Sequence, residues 1–166
     1  AQQLKKNKKG LKIFNERIKH EKKRDKRKIN EFKKWAKKNL SKKQNKNLLT
    51  FYHHESHAAS AALFSPFEKG IVLTCDGRGD YESLTLSIFN RKEKNCLKKI
   101  YSATSSDSLG FFYGRITGLL GFKPMKHEGK ITGLAAHGNP KKAIKLMHKM
   151  ITVKKGKLFA NLGDYY

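Results

Sequence analysis

Apolar positions are sparse in the first third of the chain and denser afterwards. Ile13, Phe14 and Ile18 make a weak stripe over about 11–27. Ile29, Phe32, Trp35, Ala36 and Leu40 make a stronger one at three- and four-residue spacing. Both read as helices, because that spacing lines up one helical face. The second stripe is expected to pack on the body of the protein, and residues 1–10 to be disordered. Residues 48–52, short, apolar and aromatic, read as a buried strand. The Ala-rich run 53–64 reads as a helix stopped by Pro66. Residues 71–75 form a β-branched run that ends in Asp76-Gly77-Arg78-Gly79-Asp80, a turn signal. In 84–89, Leu84, Leu86 and Ile88 alternate with Thr85, Ser87 and Phe89, completing a hairpin with its turn at 77–80.

Further on, 96–102 reads as a third strand and 108–120 as a helix with Ser108 as N-cap, ended by Gly121 and Pro124. Residues 128–137 read as a short helix closed by Gly138. Pro140 suits the first position of a helix over 140–151. Residues 151–153 and 157–160 flank Lys155-Gly156 as a last hairpin. Helices and strands are mixed, and no internal repeat is present.

Charge changes this picture mainly at one end. The 166 residues carry 38 basic and 13 acidic side chains, a formal net charge of +25. Residues 1–50 hold 20 of the basic and four of the acidic ones, a net of +16. Such a segment suggests a nucleic-acid surface. However, Lys outnumbers Arg 32 to six, and Arg is the better fork for bases and phosphates. Only Phe14, Phe32 and Trp35 offer stacking surface there. A solvated Lys-rich helical face is expected, with nucleic acid not a partner. No apolar run is long enough to span a bilayer, and no secretory leader is visible, so no membrane partner is expected. Two cysteines, Cys75 and Cys96, cannot staple a fold and fit a reducing, cytoplasmic setting. A first residue of Ala suggests a processed or truncated piece.

Three clusters carry candidate chemistry. His53 and His57 are four apart at a helix start, so they share one face and can hold one ion between them. Neutral imidazole suits Fe(II), Zn and similar metals. Asp76, at the end of the next strand, is the natural carboxylate to join them. An isolated histidine pair is more often structural, and the acidic glycine turn nearby favours the metal. His54 points a quarter-turn away and is given no ligand role. Gly77 and Gly79 can bring backbone N–H groups against an oxyanion, although a plain hairpin turn asks for the same residues. Lys130, near a helix N-terminus, can hold a phosphate-like group, and Glu128 can orient it or act on a proton. The bland alternative makes Glu128 a first-turn acid matched to the helix dipole. Tyr113 and the neighbouring phenylalanines read as core.

In order, HHESHAASAALFSPF, VLTCDGRGD, SLGFFYGRITGLLGF and EGKITGLAAHGNP resemble the N-terminal region of the O-carbamoyltransferase family, which includes nodulation-factor and antibiotic carbamoyltransferases. The resemblance covers about 47–166, with 1–46 a separate basic helical segment. It implies an α/β fold of the actin/hexokinase/Hsp70 (ribonuclease H-like) type, in the variant shared with tRNA threonylcarbamoyl-transfer enzymes. It implies a metal, iron(II), held by His53, His57 and Asp76. Gly77, Gly79, Glu128 and Lys130 become substrate- or phosphate-binding candidates. The family makes a carbamoyl-adenylate from carbamoyl phosphate and ATP in a separate adenylate-forming domain. It then moves the carbamoyl group to a hydroxyl of a sugar or small-molecule acceptor.

The chain departs from the family pattern in several places. An opening glycine-rich strand with a His-Asp segment, later phosphate segments, a further metal-binding aspartate and the adenylate-forming domain have no counterpart. Ala136-His137-Gly138 stands where Pro-Tyr-Gly is common. The resemblance therefore implies an internal piece of a longer enzyme, lacking full activity alone. A tRNA-modifying relative of the same fold and a non-catalytic basic nucleic-acid-binding module are the alternatives. The DGRGD and SLGFFYG segments favour the carbamoyltransferase.

Overall fold

The computed structural model describes residues 8–47 and 49–160. The expected disorder at 1–10 falls mostly on residues 1–7, outside those described; 8–10 already belong to a helix. That helix, α1 (Lys8–Asn39), is continuous where two were expected, because nothing between the stripes breaks it: no Gly or Pro lies between Leu11 and Asn39. A short α2 (Lys42–Lys46) follows. Its first turn is tied by Ser41 and Gln44, each bonding the other's backbone N–H.

α1 docks through its first half. Phe14 and Glu21 are buried, Arg17 lies over the Phe111 ring and Lys22 over Tyr81. The expected packing through Ile29, Phe32 and Trp35 is not made. These three stay about half exposed, and Phe32 stacks on Trp35 with ring centres 5.7 Å apart. Only Ala36 of that stripe is fully buried. A straight helix of this length runs past a small body, so an apolar stripe can continue beyond what it packs on.

The expected strand at 48–52 is also absent. Residue 48 is outside the described set, and 49–52 are irregular, with Leu49, Phe51 and Tyr52 exposed. Its aromatic character signals β-structure, but no described strand pairs with it.

Helix α3 (His53–Leu63) then leads into a three-stranded antiparallel sheet of β1 (Lys69–Gly79), β2 (Glu82–Asn90) and β3 (Leu97–Thr104), in the order β1-β2-β3. α3 packs on β1 and β2. The face it covers carries Thr74, Thr85, Ser87 and Phe89, all buried. Leu84, Leu86 and Ile88 lie on the other face, where Ile71 and Leu73 are well exposed. The polar set of the alternation is thus the inner one. Small hydroxyl residues let the Ala-rich face of α3 approach closely and bond to one another: Thr74 and Thr85 hydroxyls are 2.7 Å apart.

A 3-10 turn (Ser105–Asp107) joins β3 to α4 (Leu109–Leu119). Ser108 caps α4 by accepting from the Phe111 N–H at 3.0 Å, as its position predicts. α5 (Glu128–Ala135) packs on α4. The single helix expected over 140–151 is split. Pro140–Lys142 form a 3-10 turn capped by Asn139, and α6 (Ile144–Met150) starts afresh. β4 (Ile151–Lys154) and β5 (Lys157–Ala160) make the last hairpin, with Lys155 and Gly156 at positive φ. Asp107 and Tyr101 fasten it to the main sheet by accepting from the N–H groups of Ala160 and Leu158. The architecture is mixed α/β with antiparallel sheets, and no described helix is long and apolar enough to cross a membrane.

Candidate metal centre

The expected β1–β2 hairpin forms, but its turn is shifted. β1 runs through Gly79, and the tight turn is Asp80-Tyr81, both at positive φ (49° and 63°). Pairing is regular up to Cys75↔Leu84 and resumes at Gly79↔Glu82. Three residues, 76–78, therefore face one, Ser83, across the ladder. This is an enlarged bulge, which bends the strand and aims side chains away from the sheet plane. Asp76 projects from it toward the start of α3.

There the three side chains singled out in the sequence converge. His53 Nε2 is 2.8 Å from Asp76 Oδ2, His57 Nε2 is 3.1 Å from His53 Nε2, and His57 Nε2 is 3.7 Å from Asp76 Oδ2. A triangle with these edges admits a point about 2.1 Å from all three atoms, an ordinary bond length from a divalent transition metal to imidazole nitrogen or carboxylate oxygen. Two imidazoles and a carboxylate are also a donor set that such ions favour. Among the described residues this is the group of His, Cys, Asp and Glu close enough to share an ion. All three side chains are about half open to solvent, so a ligand can reach them.

The surroundings suit an anionic aspartate. A hydrogen bond from His53 holds the Asp76 carboxyl below its usual range. Partial burial opposes this, and the Gly77 N–H, 2.6 Å from Oδ1, and the two imidazoles reinforce it. Burial pushes the neighbouring Cys75 thiol up, with a smaller push from Asp76.

Two glycines make the geometry possible. At Gly79 a Cβ would fall inside the His53 ring, so only a bare backbone lets the imidazole lie against the strand. At Gly110 a Cβ would come within 2.9 Å of Gly77 Cα, so glycine lets α4 press its first turn against the bulge. A Cβ on Gly77 would meet the Phe111 ring at 3.5 Å, an ordinary contact.

Behind the cluster, His54 is buried and points into the sheet. Its Nε2 is 3.2 Å from the Glu82 carbonyl, which can only accept, so Nε2 carries the proton. Nδ1 then accepts from the Thr74 hydroxyl at 2.7 Å, and Thr74 in turn accepts from Thr85. This chain anchors α3 and thereby the two histidines on either side of His54. A cleft of about 760 Å³ lies between α3 and the sheet, lined by His54, Thr85, Ser87 and Lys98 among others, but not by His53, His57 or Asp76.

The other candidates lie apart. The Glu128 carboxylate accepts from the Met125 N–H at 2.6 Å, closing the turn before α5, and Lys130 is exposed on that helix. Neither bonds to the histidine–aspartate cluster. Three residues that the sequence reading left without a role belong to the site's support: His54, Asp80, whose carboxylate reaches the His53 backbone, and Arg78, paired to Glu21. Only Asp80 left a trace in the sequence, as the second aspartate of the glycine turn.

A family model described as the carbamoyltransferase N-terminus matches residues 3–163. The chain belongs to that family. It is 46% identical over 93 residues to an uncharacterized protein of Methanocaldococcus jannaschii, covering 56% of this chain and 17% of the relative. A second uncharacterized protein of that organism is 33% identical over 135 residues, 74% of this chain and 22% of its own. The nodulation protein NolNO of Sinorhizobium fredii is 41% identical over 88 residues, 53% of this chain and 12% of its own. The carbamoyltransferase-family chain therefore spans less than a quarter of the curated relatives it matches. Its family is one of enzymes, and the match is to their N-terminal region.

Proposed function

We propose that this chain supplies the metal-binding part of an O-carbamoyltransferase, moving a carbamoyl group from a carbamoyl-adenylate to a hydroxyl of a sugar or small-molecule acceptor. The adenylate is made from ATP and carbamoyl phosphate by an adenylate-forming domain, which with the rest of the enzyme is the expected partner. The observation that carries this reading is the convergence of His53, His57 and Asp76 within a family of carbamoyltransferases. The three residues would hold a divalent metal, iron(II) in this reading. Such an ion supplies a Lewis acid for the carbamoyl oxygen and a site that orients the incoming hydroxyl. Asp76, held anionic, balances the ion's charge, and the half-open cluster leaves room for substrate atoms. The N–H groups around Gly77 and Gly79 are the candidates for adenylate oxygens, with Glu128 and Lys130 more distant candidates for a phosphate group. The fold would be a part of the actin/hexokinase/Hsp70 type, with 1–46 a basic helical extension of the 47–166 body, in a cytoplasmic enzyme.

The test uses the protein isolated as its own cell makes it. Carbamoyl-adenylate labelled with 14C at the carbamoyl carbon is offered with neutral and amino sugars, with and without Fe(II). Label should pass to the sugar only with Fe(II), and not in His57→Ala. Metal-loaded protein that transfers no label, or wild-type transfer persisting in His57→Ala, would overturn the reading.

A further inference from the structure

We propose that Asp80 is a positioning residue that sets His53 and His57 against Asp76 by capping helix α3 from the glycine turn. The inference deepens the metal reading above and rests on it.

The first turn of a helix leaves backbone N–H groups without partners, which a side-chain oxygen just before the helix normally accepts. α3 has no such oxygen of its own. Tyr52 occupies the cap position in an extended conformation and makes no side-chain cap bond. The carboxylate of Asp80, 27 residues further on, takes that place: His53 N–H donates to its Oδ2 at 2.6 Å. An anionic acceptor at a helix N-terminus also meets the positive end of the helix dipole.

The same histidine is thus held at both ends by two aspartates four residues apart in β1 and its turn. Asp80 fixes its backbone and Asp76 lies 2.8 Å from its ring. Gly79, between the held groups, leaves the ring no bulk to avoid. His57 follows one helical turn later, so the placement of His53 also decides where His57 comes.

The direction of control follows from what anchors the turn. Tyr81 O accepts from the Ser105 N–H at 2.8 Å, and Ser83 donates to Thr104 O at 2.8 Å. The turn is therefore tied to the β3 end of the sheet independently of α3. The chain entering α3 is irregular and exposed at 49–52 and brings no comparable constraint. Asp80 is held at φ 49°, a left-handed conformation that glycine adopts freely and that Asp and Asn tolerate better than other side chains.

That conformation provides a clean test. Asp80→Gly removes the carboxylate while relieving the backbone, so weaker metal binding cannot be blamed on a broken turn. Asp80→Asn keeps an oxygen acceptor and tolerates positive φ. Co(II) is titrated into the full chain and followed by its visible absorption, and amide hydrogen exchange is read at residues 53–55 in metal-free protein. Asp80→Gly should weaken Co(II) binding about tenfold or more, as loss of a supporting hydrogen bond does at metal sites. It should also alter the Co(II) spectrum and speed exchange at 53–55. Asp80→Asn should stay within about threefold of wild type on affinity, the margin of one neutral for one charged hydrogen bond. Asn139→Ala, which removes a cap far from the cluster, should leave the Co(II) spectrum unchanged. Wild-type affinity and exchange in Asp80→Gly would overturn the proposal. So would Asp80→Asn as weak as Asp80→Gly, which would make the carboxylate a ligand and not a cap. If wild-type protein takes up no Co(II), the metal reading fails by itself. The exchange data then decide Asp80: faster exchange at 53–55 in Asp80→Gly supports its hold on α3, and unchanged exchange overturns it.

Discussion

Arg78, in the bulge that carries Asp76, is paired with Glu21 on helix α1, its Nη1 3.3 Å from Oε1. Glu21 is almost fully buried and also receives Arg17 and the Ser105 hydroxyl. One carboxylate so joins α1, the bulge and the turn that leads to α4. Glu21→Gln keeps the volume and removes the charge that both arginines face. It should cost about 1.5–3 kcal/mol, the range for hydrogen bonds to charged groups, read as a lower urea midpoint. Protease cleavage within 8–20 should rise with it. Unchanged cleavage there would mean that Phe14 and the ring contacts of Arg17 and Lys22 hold α1 without the Glu21 charge.

Among the described glycines, Gly79→Ala should be the most damaging change. The added carbon meets the stem of the His53 ring, which cannot swing aside without leaving Asp76. Overpacking of this kind costs about 1–3 kcal/mol, so a lower melting temperature and loss of Co(II) binding should appear together. Gly129→Ala, with open space around its Cβ, is the matched control and should change neither.

Asp76→Asn should reduce bound metal after dialysis clearly, as should His57→Ala, whereas Asp80→Asn should do so much less. Without metal, Asp76 should also shape the acid limb of stability. Its folded pKa is depressed, chiefly by the His53 hydrogen bond. Its contribution is therefore in full force above the unfolded carboxylate value of about 3.9 and is lost as pH falls through the lower folded value. Urea midpoints taken from pH 5 downward should fall less steeply in Asp76→Asn; parallel curves would remove Asp76 from the acid response.

His54→Ala removes both a buried ring and the acceptor of the Thr74 hydroxyl, and takes the imidazole from Glu82 O. Cavity formation and unpaired polar groups together should cost about 2–4 kcal/mol. His54→Gln, able to donate to a carbonyl and accept from a hydroxyl, should recover part of the loss in a thermal melt. No recovery would point to ring volume alone.

Much of the site was legible because its signals are local. A four-residue histidine spacing on an Ala-rich helix and an aspartate before two glycines each imply their own geometry, and the fold brings them to one place. The hairpin was legible too, but its turn was placed at 77–80, since glycines mark both turns and bulges. Here they belong to the bulge, and Asp80-Tyr81 bears the positive φ angles. The inner face of β2 could not be read from alternation, because α3 is so small-sided that hydroxyls pack beneath it better than leucines. Glu21 was invisible for a different reason: one of four acids on a Lys-rich helix looks solvated until Arg78, 57 residues away, arrives beside it.

Helix α1 has a consequence for handling the protein. Lys8 and Lys12, Lys19 and Lys23, Lys22 and Lys26, Lys33 and Lys37, and Lys34 and Lys38 are like-charged neighbours one turn apart. Each such pair opposes the helix by about 0.2–0.5 kcal/mol. Dissolved salt shortens the reach of that repulsion, from about 8 Å at 0.15 M to about 3 Å at 1 M. The buried carboxylate that anchors the helix is shielded far less. Ionic strength therefore steadies α1, and dilute buffer is the condition in which it unravels first.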